Sequence, residues 1–502
     1  MTSNRKSQLT TGKKPRRQFL SGTISGLLSA AAGTRWLGAT CQAGRQAHSP
    51  AIEGMAARFG LPAAGKLQTK RSKQIAASPL SVGFEVLDRR LFDPQKTYPH
   101  LAALGVKWAR CQTGWCRCET TPGRYDFGWL DQVVDSLLEL GIQPWFNLGY
   151  GNRLYTPEAD ETAVGWAPIF DPKPQAAWLQ FTRAIARHFR GRVQHWEIWN
   201  EPNISTFWKP KKPSASDYTD MVRITAPEIR RQVPGAVIIG CALAGMPLAY
   251  LEGCMEAGMG ELVDRVSYHP YRPVPEANYE SEVAAMRQLV AKYNSKIRLW
   301  QGENGCPSIG GPESTGALSN LQWDETRQAK WLLRRILSDL RLELELTSYF
   351  HTVDLRGYRG KNNFKGLLRG ADYSPKPAYF AYQHLCALFD SATSYCADLQ
   401  LRLSSGQEVH LQKAGFLRGG RAMFAYWYPA NLQQGWEPKR VDVALSAAPQ
   451  AKIGEPVLVD LLDGNVYLLP QTNREGEQLV LHQVPLVDYP LLVTDRSLIA
   501  AA

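Results

Sequence analysis

His195-Trp196-Glu197-Ile198-Trp199-Asn200-Glu201-Pro202-Asn203 reads as an apolar strand that ends in a polar turn closed by proline, and Ile297-Arg298-Leu299-Trp300-Gln301-Gly302-Glu303-Asn304-Gly305 repeats that construction further along the chain. Each run delivers a glutamate to the mouth of a strand. Working outward, short apolar runs predict strands at Leu80 to Val86, Val106 to Cys111, Gln143 to Leu148, His195 to Asn200, Ala236 to Ala242, Arg265 to His269, Ile297 to Glu303 and Leu346 to His351. Segments with apolar residues three and four apart lie between them, among them Trp129 to Leu140, Pro174 to Arg190, Ser216 to Val233, Tyr279 to Tyr293 and Glu325 to Leu340. Strand and helix alternating through residues 79–390 is the pattern of a parallel sheet with helical crossovers, and eight repeats predict an α/β fold, a (β/α)8 TIM barrel. A doubly wound open sheet is the rival, but no Gly-x-Gly-x-x-Gly turn follows the first strand.

The flanks read differently. Residues 1–40 open with Lys13-Lys14-Pro15-Arg16-Arg17-Gln18-Phe19-Leu20 and continue into a weakly apolar Ala/Gly/Ser stretch, the pattern of a twin-arginine export signal leading to a periplasmic or extracellular location. That stretch is too short for a stable membrane span. Residues 41–78 lack periodicity and are expected to be a linker. Residues 391–502 turn to short alternating strands such as Ala422 to Tyr428, Val441 to Ala444 and Pro456 to Leu461, with Asp463-Gly464-Asn465 as a hairpin turn, so a C-terminal β-sandwich-like domain is expected.

The chain of 502 residues is 44% hydrophobic and 21% charged, which fits a soluble globular protein and excludes a disordered chain or a membrane bundle. Its net charge of +12 is half accounted for by Arg5, Lys6, Lys13, Lys14, Arg16 and Arg17, and with no basic stripe interleaved with aromatics it argues against nucleic-acid binding. Cys111, Cys116 and Cys118 lack the Cys-x-x-Cys spacing of a zinc site, which favours buried thiols or a local disulfide.

Two carboxyls at the mouths of strands four and seven suit cleavage of a glycosidic bond with retention, in which one acid protonates the leaving oxygen and one carboxylate attacks the anomeric carbon, the two about 5–5.5 Å apart. An ionised Glu303 beside Glu201 favours a proton on Glu201, and Arg110, at the end of the second strand, is placed to hold Glu303 ionised. Glu197 is assigned by strand parity to the face opposite Asn200 and is left out of the chemistry. The Trp-Asn-Glu-Pro-Asn run and the Glu-Asn-Gly strand end resemble the motifs of the large clan of (β/α)8 retaining glycosidases, and within it the family that includes β-xylosidases and α-L-iduronidases. The resemblance spans roughly residues 80–390. It implies that Glu201, after strand four, is the acid/base and Glu303, after strand seven, the nucleophile. It further implies that Asn200 binds the sugar 2-hydroxyl and that His269 and Tyr271, in Tyr-His-Pro-Tyr, match the clan's His-x-Tyr, whose Tyr orients the nucleophile. The clan's Trp after strand eight is missing, and Phe350 or His351 stands in its place.

Sugar faces stack on aromatic rings, so Trp115, Trp166 and Trp208, on the loops after strands two, three and four, are candidate platforms, with Asn147, Tyr150 and Asn152 as hydrogen-bonding groups. The segments Gly149 to Pro172 and Ser308 to Asn320 either wall the cleft into a pocket, which gives exo-action, or leave it open, which gives endo-action, and the pocket is the expectation. No metal-ligand cluster or nucleotide-cradling loop is visible, so the expected partner is a carbohydrate substrate alone, with no cofactor or metal. The alternatives are a carbohydrate-binding barrel without turnover and a transglycosidase.

Overall fold

The computed structural model describes residues 58–499 apart from 405–408, 447–450, 452 and 477. The expected export signal lies outside the described residues. Eight parallel strands close a barrel: β1 (Leu80–Gly83), β2 (Trp108–Gln112), β3 (Gln143–Leu148), β4 (His195–Ile198), β5 (Val237–Ala244), β6 (Arg265–His269), β7 (Arg298–Asn304) and β8 (Leu346–Tyr349). Besides a short helical turn at Trp115–Cys118, one helix follows each strand: α1 (Tyr98–Leu104), α2 (Gly128–Glu139), α3 (Pro172–His188), α4 (Ala215–Gln232), α5 (Leu248–Glu256), α6 (Tyr279–Tyr293), α7 (Glu325–Arg341) and α8 (Pro377–Leu388). β3, β6 and α6 begin and end where the hydrophobic pattern puts them. Caps explain several helix starts, since Asp171, Ser214 and Asp324 each accept from a backbone N–H of the first turn of α3, α4 and α7.

Inward-facing residues stack in layers. Trp145, Ile239, Trp300 and Leu346 fill the lower barrel as a small separate core. Above it the filling becomes charged, with the Arg110 guanidinium 5.5 Å from the centre of the Trp145 ring. Alternate residues such as Phe146, Trp196, Ile198 and Val266 are buried in the larger core that includes the helices. Trp115 and Trp208 belong to this core, not to the mouth: Trp115 stacks on Tyr155 and Phe181, and Trp208 packs on Phe170, Trp199 and Tyr218. A long loop packed on helices buries its large aromatics, and neither residue type nor loop position distinguishes that from exposure to a cleft.

The C-terminal region forms two antiparallel sheets, one of seven strands and one of four. The expected linker is corrected here. Ala63–Lys66 is a strand on the edge of the seven-stranded sheet, antiparallel to Asn465–Leu468. Edge pairing uses backbone groups, so Ala-Ala-Gly-Lys carries no alternating pattern to announce it. The hairpin at Gly464 packs against α8: a Cβ there would stand 2.4 Å from His384 Nε2, and φ is +76°, so glycine is required on both counts. All eight cysteines among the described residues are free thiols, Cys111 and Cys118 buried, so no local disulfide forms among them.

Barrel and sheets are joined through Glu276, in the loop after β6. It accepts from Arg334 Nε of α7 at 2.8 Å and from Trp427 Nε1 of the seven-stranded sheet at 2.7 Å, while Arg334 Nη1 donates to the Ala430 carbonyl at 2.7 Å. Burial alone would push Glu276 up, but the Arg334 charge outweighs it and holds the carboxyl below its ordinary range. Glu276→Ala leaves Arg334 buried and unpaired and is expected to cost about 3–5 kcal/mol, read as a lower midpoint of urea unfolding.

Candidate active site

Arg110 organises the mouth of the barrel. Its side chain is fully buried and points inward from β2, and its Nη1 donates to Glu303 Oε2 at 2.7 Å and to Glu85 Oε1 at 3.2 Å. Nε donates to Glu197 Oε2 at 2.9 Å and Nη2 to Asn200 Oδ1 at 2.8 Å. The parity reading of Glu197 is therefore corrected. Glu197 faces the interior, where it also accepts from Asn147 Nδ2 at 2.8 Å. β4 stops at Ile198, and Trp199 then adopts φ +69°, which breaks the alternation and brings Asn200 to the same side. Glu201 is also left-handed, at φ +48°, with its N–H bonded to the Ala242 carbonyl of β5 at 2.9 Å. Two non-glycine residues in this region within one turn mark a strained segment of the kind found at functional sites.

The two glutamates meet across the mouth in unlike surroundings. Glu303, at the end of β7, accepts at Oε2 from Arg110 and at Oε1 from the Tyr271 hydroxyl at 2.8 Å. Burial pushes this carboxyl up, but the His269 and Arg110 charges and the Tyr271 hydroxyl overcome it and hold Glu303 below its ordinary range. Glu201 Oε1 instead lies 2.9 Å from His269 Nδ1, which is 3.8 Å from Glu303 Oε2. Burial lowers His269, yet the nearby Glu303 and Glu201 carboxylates raise it above its ordinary value. One oxygen of Glu201 and one of Glu303 lie within 4.8 Å of each other. That separation matches carboxyls about 5–5.5 Å apart that share one sugar, and is shorter than the roughly 6.5–9.5 Å that leaves room for an intervening water.

Glu201, His269 and Glu303 are also the one group of described residues whose donor atoms could gather round a cation. The fit is poor, because Glu303 already holds Arg110 and Tyr271 and the adjacent guanidinium repels a second positive charge.

A cavity of about 500 Å³ opens above these groups, within the ordinary range for small-molecule sites. Glu201, Glu303, Asn200, His269, Tyr271 and Phe350 line it, as the motifs predict. Trp115, Trp166 and Trp208 do not. Trp166 is half-buried with its carbonyl packed on Gly151, while Asn147 and Asn152 are spent on holding loops. The aromatic wall consists of Tyr150, Phe207 and Tyr358: Phe207 stacks on Tyr150 at 5.6 Å, and Arg359 lies over Phe207 at 5.4 Å. Tyr358 and Arg359 come from a hairpin, Leu355–Tyr358 with Lys361–Asn363, that follows β8. Its only sequence signal is a run of glycines and charges without an apolar pattern. Glu85 is a further lining residue that the motifs miss. Burial, only partly offset by Arg110, raises it to about 8, so it is largely protonated at neutral pH. His351, behind Phe350, is buried, its Nε2 donating to the Glu85 carbonyl and its Nδ1 accepting from the Val353 N–H at 3.3 Å, and burial pushes it down to about 4.

Residues 112–299 match the family model of glycosyl hydrolases family 39. A β-xylosidase of Geobacillus stearothermophilus is 30% identical over 159 residues, 29% of this chain and 31% of the relative. A β-xylosidase of Caldicellulosiruptor saccharolyticus is 33% identical over 98 residues, 17% of this chain and 19% of the relative. The chain thus matches less than a third of the length of these curated relatives. Among solved structures, a family 39 glycoside hydrolase from Bacteroides cellulosilyticus aligns with TM-score 0.61 at 20% identity over 83% of this chain and 80% of that one. A monomeric β-xylosidase from Caulobacter crescentus aligns with TM-score 0.59 at 17% identity over 86% and 97%. The resemblance read from the two glutamate motifs is borne out, and so is the barrel with additional C-terminal sheets. Among the described residues no helix is long and apolar enough to cross a membrane.

Tyr271→Phe removes one of the donors that hold Glu303 ionised. The Glu303 pKa then rises, so its ionised form is lost at a higher pH, and the acid limb of kcat/KM against pH is expected to move upward. A hydrogen bond to a charged group contributes about 1.5–3 kcal/mol, so kcat should fall roughly ten- to hundredfold at the optimum, measured on an aryl glycoside.

Proposed function

We propose that the chain is an exported retaining glycoside hydrolase that cleaves O-glycosidic bonds of oligo- or polysaccharides by double displacement. The asymmetry between its two carboxyls carries the reading: Glu303 is gripped at both oxygens by cationic and hydroxyl donors, whereas Glu201 is bonded to an imidazole. Glu303 is the nucleophile. It attacks the anomeric carbon as Glu201 gives its proton to the departing oxygen, and a glycosyl-enzyme ester results. Glu201, now ionised, takes a proton from the incoming water, which displaces Glu303 and releases the sugar. His269 positions Glu201 and Tyr271 positions Glu303. Asn200, with its carbonyl oxygen turned to Arg110, is left with its amide N–H groups as donors for the sugar 2-hydroxyl.

The Tyr358–Arg359 hairpin and Phe207 wall the cavity on one side, which supports a pocket that takes terminal sugars from chain ends. That the matched relatives are β-xylosidases supports a xylose-type ring at its centre. The twin arginines at Arg16 and Arg17 support export before action on extracellular or periplasmic carbohydrate.

Kinetics of two variants test the roles. Glu303→Gln should lose turnover on every substrate, whereas Glu201→Ala should keep measurable activity on aryl glycosides with very good leaving groups, which need no acid, and lose it on alkyl glycosides. Equal losses for both variants on both substrate types would overturn the assignment.

A further inference from the structure

The cavity is lined unlike on its two sides. Toward Glu303 it presents Glu85, Tyr271 and Lys365, whose charges or hydroxyl act on that carboxyl. Toward Glu201 it presents Ile204, Thr206 and Phe207 from the loop after β4, with Ala244 and Gly245 where β5 ends. Hydrogen bonds tie this second group to the acid. The Ile204 N–H donates to the Glu201 carbonyl at 3.2 Å, the Glu201 N–H to the Ala242 carbonyl at 2.9 Å, and the Gly245 N–H to the carbonyl of His269 at 3.1 Å, whose ring bonds Glu201. Of the five lining residues on this side, only Thr206 carries a polar side-chain group.

Polar side chains close to this side are engaged elsewhere. Asn203 donates from Nδ2 to the Ala244 carbonyl and accepts at Oδ1 from the Ala244 N–H, at 2.9 Å each, so both ends of its amide clip the loop after β4 to β5. Arg272 Nη2 lies 3.3 Å from Met246 Sδ but donates to Glu282 at 2.6 Å, and its Nη1 donates to the Ala277 carbonyl. Outward from Gly245 the chain continues as Met246-Pro247-Leu248-Ala249, apolar throughout, and Leu248, at 38% exposure, is one of four large apolar side chains left exposed among the described residues. A Cβ on Gly245 would meet no atom within 4 Å, so the space over it is open.

A leaving group sits beside the acid that protonates its oxygen, so these are the residues it meets. A sugar leaving group carries hydroxyls around its whole ring, and each one taken from water without a partner costs free energy. An apolar alcohol makes no such demand and gains by leaving water. We propose that Ile204, Phe207, Ala244 and Gly245, with Leu248 beyond them, form a leaving-group subsite for an apolar alcohol, so that alkyl or arylalkyl glycosides are substrates of this chain. This inference rests on the proposed glycosidase reading for the roles of Glu201 and Glu303. It adds a class of substrate beyond linkages between sugars.

Calorimetric titration of the Glu303→Gln protein with methyl, benzyl and octyl β-xylosides and xylobiose tests it without relying on turnover, because the glycone is constant and only the leaving group changes. With the octyl compound kept below its micelle concentration, octyl or benzyl xyloside should bind on the order of tenfold or more tighter than methyl xyloside, and tighter than xylobiose. Preference for octyl identifies a chain as the natural group, and preference for benzyl a ring. Gly245→Asn, added to the same protein, sets an amide in the open space at a φ that asparagine tolerates, and should bring that ratio near one. Ile204→Asn should do the same from the facing loop. Equal affinity for all three xylosides, tightest binding of xylobiose, or a preference that survives both substitutions would overturn the proposal. Failure of the glycosidase reading would show separately, as absence of any cleavage of aryl glycosides by the wild-type protein while these binding ratios stand.

Discussion

A single guanidinium inside the barrel holds the site together. From β2, Arg110 reaches Glu85, Glu197, Asn200 and Glu303, which lie in or just after strands β1, β4 and β7. Three carboxylates around one positive charge would leave the interior strongly negative if all were ionised. The burden is shared unequally: Glu85 is raised to about 8 and Glu303 is held low, so the proton resides on Glu85 and away from Glu303, the proposed nucleophile. The lower barrel supports this arrangement, since the Trp145 ring beneath Arg110 keeps water out of the charged layer.

The rest of the mouth follows from that layer. His269 ends β6 and Tyr271 stands two residues beyond it, and they divide between the two glutamates, the hydroxyl to Glu303 and the imidazole to Glu201. The left-handed backbone at Trp199 and Glu201 turns Asn200 and Glu201 toward the cavity where a regular strand would have pointed them apart. The loops after β7 and β8 then close the side next to Tyr271 and bring in Gly316, Asn363, Lys365 and Arg359. The carboxyl cluster is thus fixed by strand ends packed in the barrel, and the cavity wall by loops and a hairpin laid over it.

The sequence discloses these two levels unequally. Strand ends follow periodic apolar runs, so β3 and β6 are located to the residue and the residues at their mouths follow. Arg110 paired with Glu303 and the two facing glutamates are legible because strand position fixes where they project, whereas Tyr271 on Glu303 is legible only through the resemblance to the clan's His-x-Tyr. Glu197 is misread since one left-handed residue, Trp199, resets parity, and no local signal marks that change. Trp115, Trp166 and Trp208 are misread because an indole on a loop serves equally as core or as platform. Ala63–Lys66 is missed because an edge strand needs only backbone. The Tyr358–Lys365 wall is hidden for the related reason that a hairpin packed over a cavity needs no periodic pattern.

The division of labour between the two glutamates is tested most directly by trapping the covalent step. Purified protein is incubated with 2-deoxy-2-fluoro glycosides bearing activated leaving groups, neutral and uronic, and its intact mass and peptide map are measured. One glycosyl unit added on Glu303 is the expected result. A broad panel that leaves the mass unchanged while the sugars still bind, or an adduct on Glu201 or Glu85, would contradict the assignment of Glu303 as nucleophile.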